Sequence, residues 1–191
     1  SQRERTILHY NNRDLSAKMW LPERTSWNPN YMQESLEKAY EKCFGQALMD
    51  YNATQKRKDR RKENYLKEIE NSGNKEKTFY ENIVQIGKKE DTPVVDEDGN
   101  LTEEAKSVIE ILEQYEKTFQ ERNPNLYLFN CVMHLDEATP HLHIDYIPVA
   151  HGYKTGMESA GTYVKEVAVV SCVRKVDERE RGSVYLIYPN R

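Results

Sequence analysis

The apolar positions change period along the chain, and the changes outline its elements. From about Gln33 to Ile69, Leu36, Ala39, Tyr40, Cys43, Phe44, Ala47, Leu48 and Tyr51 recur at intervals of three and four, the spacing of a helix with one buried face. From Asn52 the same segment is strongly charged and lacks proline, which leaves two outcomes open. Either the helix runs on as an exposed charged arm or it breaks near Asn52. NSGNKEK (Asn71 to Lys77) reads as a loop and FYENIVQIG (Phe79 to Gly87) as a strand, with Lys88 and Lys89 at its end. After the acidic, turn-rich EDTPVVDEDGN, Thr102 can cap a helix whose apolar face is Ala105, Val108, Ile109, Leu112, Tyr115 and Phe119. Asn123-Pro124 closes that helix.

Two further strands are expected close together. LYLFNCVMH (Leu126 to His134) is rich in apolar and aromatic residues, and the six residues LDEATP can reverse the chain into HLHIDYIPV. Side chains alternate across a strand, so His141, His143 and Asp145 should point to one face while Leu142, Ile144 and Tyr146 point to the core. Residues 1–32 show little period but are too rich in basic and aromatic groups for a linker. Beyond the histidine strand, HGYKTGMESAG reads as loop, TYVKEVAVVSCV as a strand, and DERERGSVYLIYPNR as a charged turn before a short strand. The succession predicts an α+β domain: a central antiparallel sheet flanked by helices, with a long charged helix.

The reversal carries the chemistry. It should bring His134 beside His141 and His143, and neutral imidazole is the commonest protein ligand for a transition metal. Three imidazoles on one ion leave coordination positions open, as in a catalytic site rather than a closed structural one. Asp136 and Glu137 fit as ligands, as acceptors that orient an imidazole, or as proton-handling groups. An isolated His-x-His on a half-buried strand is more often a pair of solvated or hydrogen-bonded histidines. The third histidine and the acidic pair favour the metal.

Composition narrows the picture. The 191 residues suit one domain, and thirteen tyrosines argue against a disordered chain despite 31% charged residues. No apolar run approaches the roughly twenty residues that span a bilayer, and SQRERTILHY lacks a signal-peptide core, so a cytoplasmic protein without membrane insertion is expected. Cys43, Cys131 and Cys172 are odd in number and widely spaced, fitting reduced thiols. A net charge of −4 counts against a simple nucleic-acid binder, but the charge is unevenly placed. Lys56, Arg57, Lys58, Arg60, Arg61 and Lys62 put six cations in seven residues, while acids gather from Glu90 to Glu104. Such a run is either a solvated face or a phosphate-contacting surface. Near the N-terminus, Tyr10 offers a phenol able to attack phosphorus, and Arg13 and Arg24 offer guanidiniums able to hold phosphate oxygens in pairs.

HLDEATPHLHIDYIPV resembles the metal-binding motif of the MobV (Mob/Pre) plasmid mobilisation and recombination proteins of the HUH endonuclease superfamily. A histidine and an Asp-Glu pair are followed by Pro-His-hydrophobe-His. The resemblance continues through YNNRDLSAKMWLPERTSWN, YEKCFGQALMDYNATQKRKDRR, FYENIVQIGKK and NPNLYLF, covering most of residues 6 to about 158. It implies a relaxase that nicks single-stranded DNA at a plasmid origin of transfer, holds the 5′ phosphate covalently and rejoins the ends. On that pattern His134, His141 and His143 bind manganese or magnesium, and Glu137 positions or activates the nucleophile. Arg13, Arg24 and Asn28 organise the DNA or the site. Origin DNA, single-stranded or hairpin, is the implied partner, with conjugation coupling machinery beyond it.

Two departures accompany the resemblance. The family's N-terminal motif usually reads His-Asn-x-Arg, whereas Tyr10 here precedes Asn11, Asn12 and Arg13, with His9 one residue earlier. Tyr10 as nucleophile, His9 after a local shift, and an inactive DNA-binding remnant all follow from that. From about Ala160 the resemblance fades, so residues 1–159 are expected as the relaxase-like domain and 160–191 as an atypical segment of a truncated or altered member. A histidine-triad nucleotide hydrolase also alternates histidines on a strand, but it needs a third one where Asp145 stands and leaves His134 unused.

Overall fold

The computed structural model describes residues 11–12, 21–72 and 77–150, and the backbone of 184–187. Five strands form one antiparallel sheet: β1 (Asn30–Gln33), β2 (Tyr80–Ile86), β3 (Leu126–His134), β4 (His141–Pro148) and β5 (Val184–Ile187), in the order β1-β3-β4-β2-β5. The helices are α1 (Leu36–Thr54), α2 (Tyr65–Glu70), α3 (Glu103–Lys117) and α4 (Phe119–Arg122), with short 3₁₀ helices at Pro22–Trp27 and Lys58–Arg60. The architecture is the expected α+β arrangement. Among the described residues no helix is long and apolar enough to cross a membrane. The expected strand TYVKEVAVVSCV lies outside the described residues, while Val184–Ile187 forms the short strand and pairs with β2.

Local signals explain most boundaries. Ser35 caps α1 by accepting from the Lys38 amide, Asn64 caps α2 through Lys67, and Thr102 caps α3 through Ala105. The charged extension of α1 does not form. The Asn52 side chain accepts from the Lys62 amide at 2.9 Å and donates to the Lys62 carbonyl at 2.7 Å, so it captures the returning chain and the helix ends at Thr54. The basic run therefore turns back on itself, with one 3₁₀ turn at its centre. Phe119 likewise belongs to the separate turn α4, not to α3.

Two cores lie on opposite faces of the sheet. One contains Leu142, Ile144 and Tyr146 of β4 with Val108, Leu112 and Phe119 of the α3/α4 layer. The other gathers Tyr40 and Phe44 of α1, Tyr65, Leu66 and Ile69 of α2, and Phe79, Phe129 and Ile147. Edge-to-face ring pairs Phe44–Tyr65 and Phe79–Phe129, at 5.3 and 5.5 Å, knit this second core. A bulge in β3 between Leu128 and Asn130 reverses its alternation, so Leu126 and Leu128 share a core with Cys131 and Met133. That irregularity explains why LYLFNCVMH reads as continuously apolar rather than alternating.

Candidate metal centre

Register places the histidines. His134 of β3 stands directly opposite His141 of β4, and the reversal between them closes the hairpin. His143 follows two residues on, on the same face. One ring nitrogen from each imidazole lies within 4.8 Å of the others, and all three side chains are buried. The rings are packed with centroids 4.5 to 5.2 Å apart.

The second nitrogen of each ring is committed elsewhere. His134 Nε2 donates to the Asn11 carbonyl at 2.8 Å, His141 Nδ1 to the Thr139 carbonyl at 2.8 Å, and His143 Nδ1 to the Glu81 carboxylate at 2.7 Å. All three partners are acceptors, so each neutral ring carries its proton there and presents a lone pair at its remaining nitrogen. Glu137 Oε1 lies 3.7 Å from His134 Nδ1, and its Oε2 lies 3.8 Å from His141 Nε2. Imidazole nitrogens and a carboxylate converging in a buried space are a donor set that fits a divalent metal. A second grouping, His134 with Asp136 and Glu137, offers a carboxylate ligand as well.

Behind the imidazoles lies a buried polar layer that sequence reasoning did not assemble. Glu81 of β2 pairs in register with Asp145 of β4, putting two carboxylates side by side. The Asn11 amide bridges them, donating to Glu81 at 2.8 Å and to Asp145 at 3.1 Å, and Asn130 donates to Asp145 at 2.7 Å. Burial, with the neighbouring Glu81 charge, pushes Asp145 up to about 7 against the opposing bonds from Asn130 and Asn11. Burial also acts to raise Glu81, but the hydrogen bonds from His143 and the Asn11 amide work against it, and Glu81 is held below its usual range. Asn130, a polar residue inside an apolar strand, was the one visible signal. Glu81 gave none, because nothing local says that β2 lies beside β4.

The remaining predicted residues divide. Arg24 is brought to the site, where its Nη2 donates to the Glu137 carbonyl at 3.3 Å. The Asn28 side chain accepts from the Leu135 amide at 2.7 Å and so fixes the end of β3. Thr25 Oγ1 donates to Asp136 at 3.0 Å, which holds that carboxylate in place. The basic run joins α1 to α2, and all of it but the half-buried Lys62 is exposed. Arg57 pairs with Asp59 and Lys62 with Glu68, while Lys56, Lys58 and Arg60 have no ion pair among the described residues. His9, Tyr10 and Arg13 lie outside the described residues.

The Mob_Pre family model, described as plasmid recombination enzyme, matches residues 25–170. No curated protein matches the chain. Among solved structures, a match is a manganese-bound crystal structure at pH 5.5 of the MobM relaxase domain (MOBV; Mob_Pre) bound to 22 nucleotides of plasmid pMV158 oriT DNA. It is 20% identical, covers 79% of this chain and 67% of that chain, and superposes with a TM-score of 0.42.

Proposed function

The chain belongs to the Mob_Pre family of plasmid recombination enzymes, and from that premise we propose that it is a relaxase acting on single-stranded DNA at a plasmid origin of transfer. The observation that carries the reading is the buried histidine trio, with each imidazole oriented by an acceptor and Glu137 facing two of them. His134, His141 and His143 would hold a divalent ion, manganese or magnesium. When bound, such an ion polarises a phosphate oxygen and offsets the charge that builds in the transition state. Neutral imidazoles suit this because they leave the charge of the ion undiminished.

The protein's own groups supply the rest. Tyr10, or His9 one residue earlier, acts as the nucleophile. With Tyr10, the phenol gives up its proton, Glu137 receiving it, as its oxygen bonds to phosphorus. The phosphorus–O3′ bond then breaks, and the released 3′ oxygen takes up a proton. The phosphotyrosine ester keeps the phosphodiester energy, so the reverse reaction reseals the strand without a nucleotide. Asn11 supports Tyr10 in this role: it is bonded to Tyr10 in the chain, and its carbonyl accepts from His134 while its amide spans Glu81 and Asp145. Arg13, Arg24 and Asn28 organise DNA and site. Lys56, Arg57, Lys58, Arg60, Arg61 and Lys62 contact the phosphates of an origin hairpin, with coupling machinery as a further partner in transfer. Residues 1–159 form the catalytic unit, with 160–191 appended.

The test is incubation with manganese and a labelled single strand from the plasmid's transfer origin, followed by denaturing electrophoresis. A slow-migrating adduct that Tyr10→Phe removes and His9→Ala keeps establishes the tyrosine relaxase. Loss with His9→Ala alone moves the nucleophile to His9. Hairpin binding without any adduct refutes the reading and leaves a DNA-binding remnant.

A further inference from the structure

Beside the metal centre lies a cleft of about 260 Å³, with Arg24 and Glu137 in its wall and Lys89, unused so far, among the other lining residues. Three segments wall it, and backbone bonds tie them together. The Leu21 amide donates to the Asp136 carbonyl at 2.9 Å, and the Val94 amide to the Ala138 carbonyl at 3.1 Å. The turn that brings in Lys89 depends on Gly87, at φ +73°, where a Cβ would meet Thr92 Oγ1 at 2.9 Å. That hydroxyl is itself occupied, donating to the Ile86 carbonyl at 2.9 Å. The cleft is therefore a built feature rather than a gap between loose loops.

Its two cations and two carboxylates are unequally engaged. Arg24 is only 9% exposed, and among the described residues its one hydrogen bond goes to the Glu137 carbonyl while its buried Nε and Nη1 have no partner. A guanidinium has five donors and cannot shed its charge, so burying it without an anion is costly. Across the cleft Lys89 is exposed and has no ion pair among the described residues, whereas its neighbour Lys88 faces Glu90 at 3.9 Å. The two acids of the lining are engaged elsewhere: Asp136 accepts from Thr25, and the Glu137 carboxylate faces the imidazoles. The rest of the wall is apolar, from Leu21, Pro93 and Val94.

We propose that this cleft is a subsite for one phosphodiester unit of a single strand, with Arg24 and Lys89 holding the phosphate and the apolar wall receiving sugar or base. The volume, at the small end of ligand sites, suits one nucleotide unit and not a duplex. Glu137 belongs to both the cleft and the metal centre, so the bound unit flanks the reacting phosphate and sets the register of the strand. The proposal rests on the reading of the chain as a DNA-processing enzyme.

The experiment is fluorescence anisotropy of the full chain with single-stranded oligonucleotides in which one phosphate at a time is a neutral methylphosphonate. Wild type is compared with Arg24→Gln and Lys89→Ala, each checked by thermal melting. Lys89 is exposed, so its variant keeps the test open if Arg24→Gln fails to fold. Binding of the unmodified strand should weaken about tenfold for Arg24→Gln, as for removal of a charge-assisted hydrogen bond. Lys89→Ala should weaken it about threefold, and each variant should lower the salt slope by a part of the roughly 0.7 that one phosphate on a single strand contributes. At one phosphate position the methylphosphonate should weaken wild type more than it weakens either variant, because each variant has already lost one of the two cations on that phosphate. Unchanged affinity and slope in both variants, or losses that add at every position, overturn the subsite while wild type still binds. If wild type binds no single strand, both the subsite and the relaxase reading fall.

Discussion

The two faces of β4 are equally shielded from water and chemically opposite. Leu142, Ile144 and Tyr146 enter an apolar core where burial contributes stability, about 25 cal/mol for each Å² removed from water. His141, His143 and Asp145, on the same eight residues, are buried just as deeply among carboxylates and amides, where each group costs stability unless it is bonded. The polar face ends within the strand: Ile147, two residues beyond Asp145, returns to core against α1 and α2. One strand thus holds the fold together on one side and meets the cost of a site on the other. A residue's burial alone does not say which of these it does.

Substitutions that separate stability from metal affinity test the contrast. The largest effect belongs to the apolar face. Ile144→Ala should lose about 2–5 kcal/mol in urea unfolding, while the protein that remains folded binds manganese as wild type does. Manganese binding that collapsed while stability held would erase the distinction. On the polar face, excess manganese at about a hundred times its dissociation constant should stabilise wild type by about 2.7 kcal/mol, and a chelator should reverse it. His143→Ala should show no such gain in a thermal melt.

A smaller step separates imidazole from its support. Glu81→Gln should weaken manganese binding in calorimetry by about tenfold, the loss expected when a group orienting a ligand is altered. Thr102→Ala, far along the chain but bonded to the Pro93 carbonyl at 2.6 Å as well as capping α3, should cost about 1 kcal/mol and leave metal affinity alone. Least of all for the fold, replacing Lys56, Lys58 and Arg60 by Gln should leave the melting temperature unchanged. The salt slope of hairpin binding should fall by about 0.9 for each phosphate no longer neutralised, and an unchanged slope would remove the basic run from the DNA surface.

Much of this was legible without coordinates, because it depends on neighbours in sequence. The 3.6-residue period marked α1 and α3, alternation split β4 into its two faces, and the short reversal put His134 opposite His141. Where the pattern was ambiguous, bonds between distant residues decided: Asn52 ended α1 by capturing Lys62, and the β3 bulge turned both Phe129 and Asn130 away from the first core. The support of the site was beyond local reading altogether. Glu81 reaches His143 only because β2 docks on β4, and Asn11 reaches across 134 positions to Asp145. Periodicity and turn chemistry are properties of adjacent residues, which is why the elements and the three ligand candidates could be read directly from the chain. Strand order and the pairing of buried polar groups depend on which distant surfaces pack together. What orients each imidazole, and what Arg24 faces, was therefore settled by packing in three dimensions.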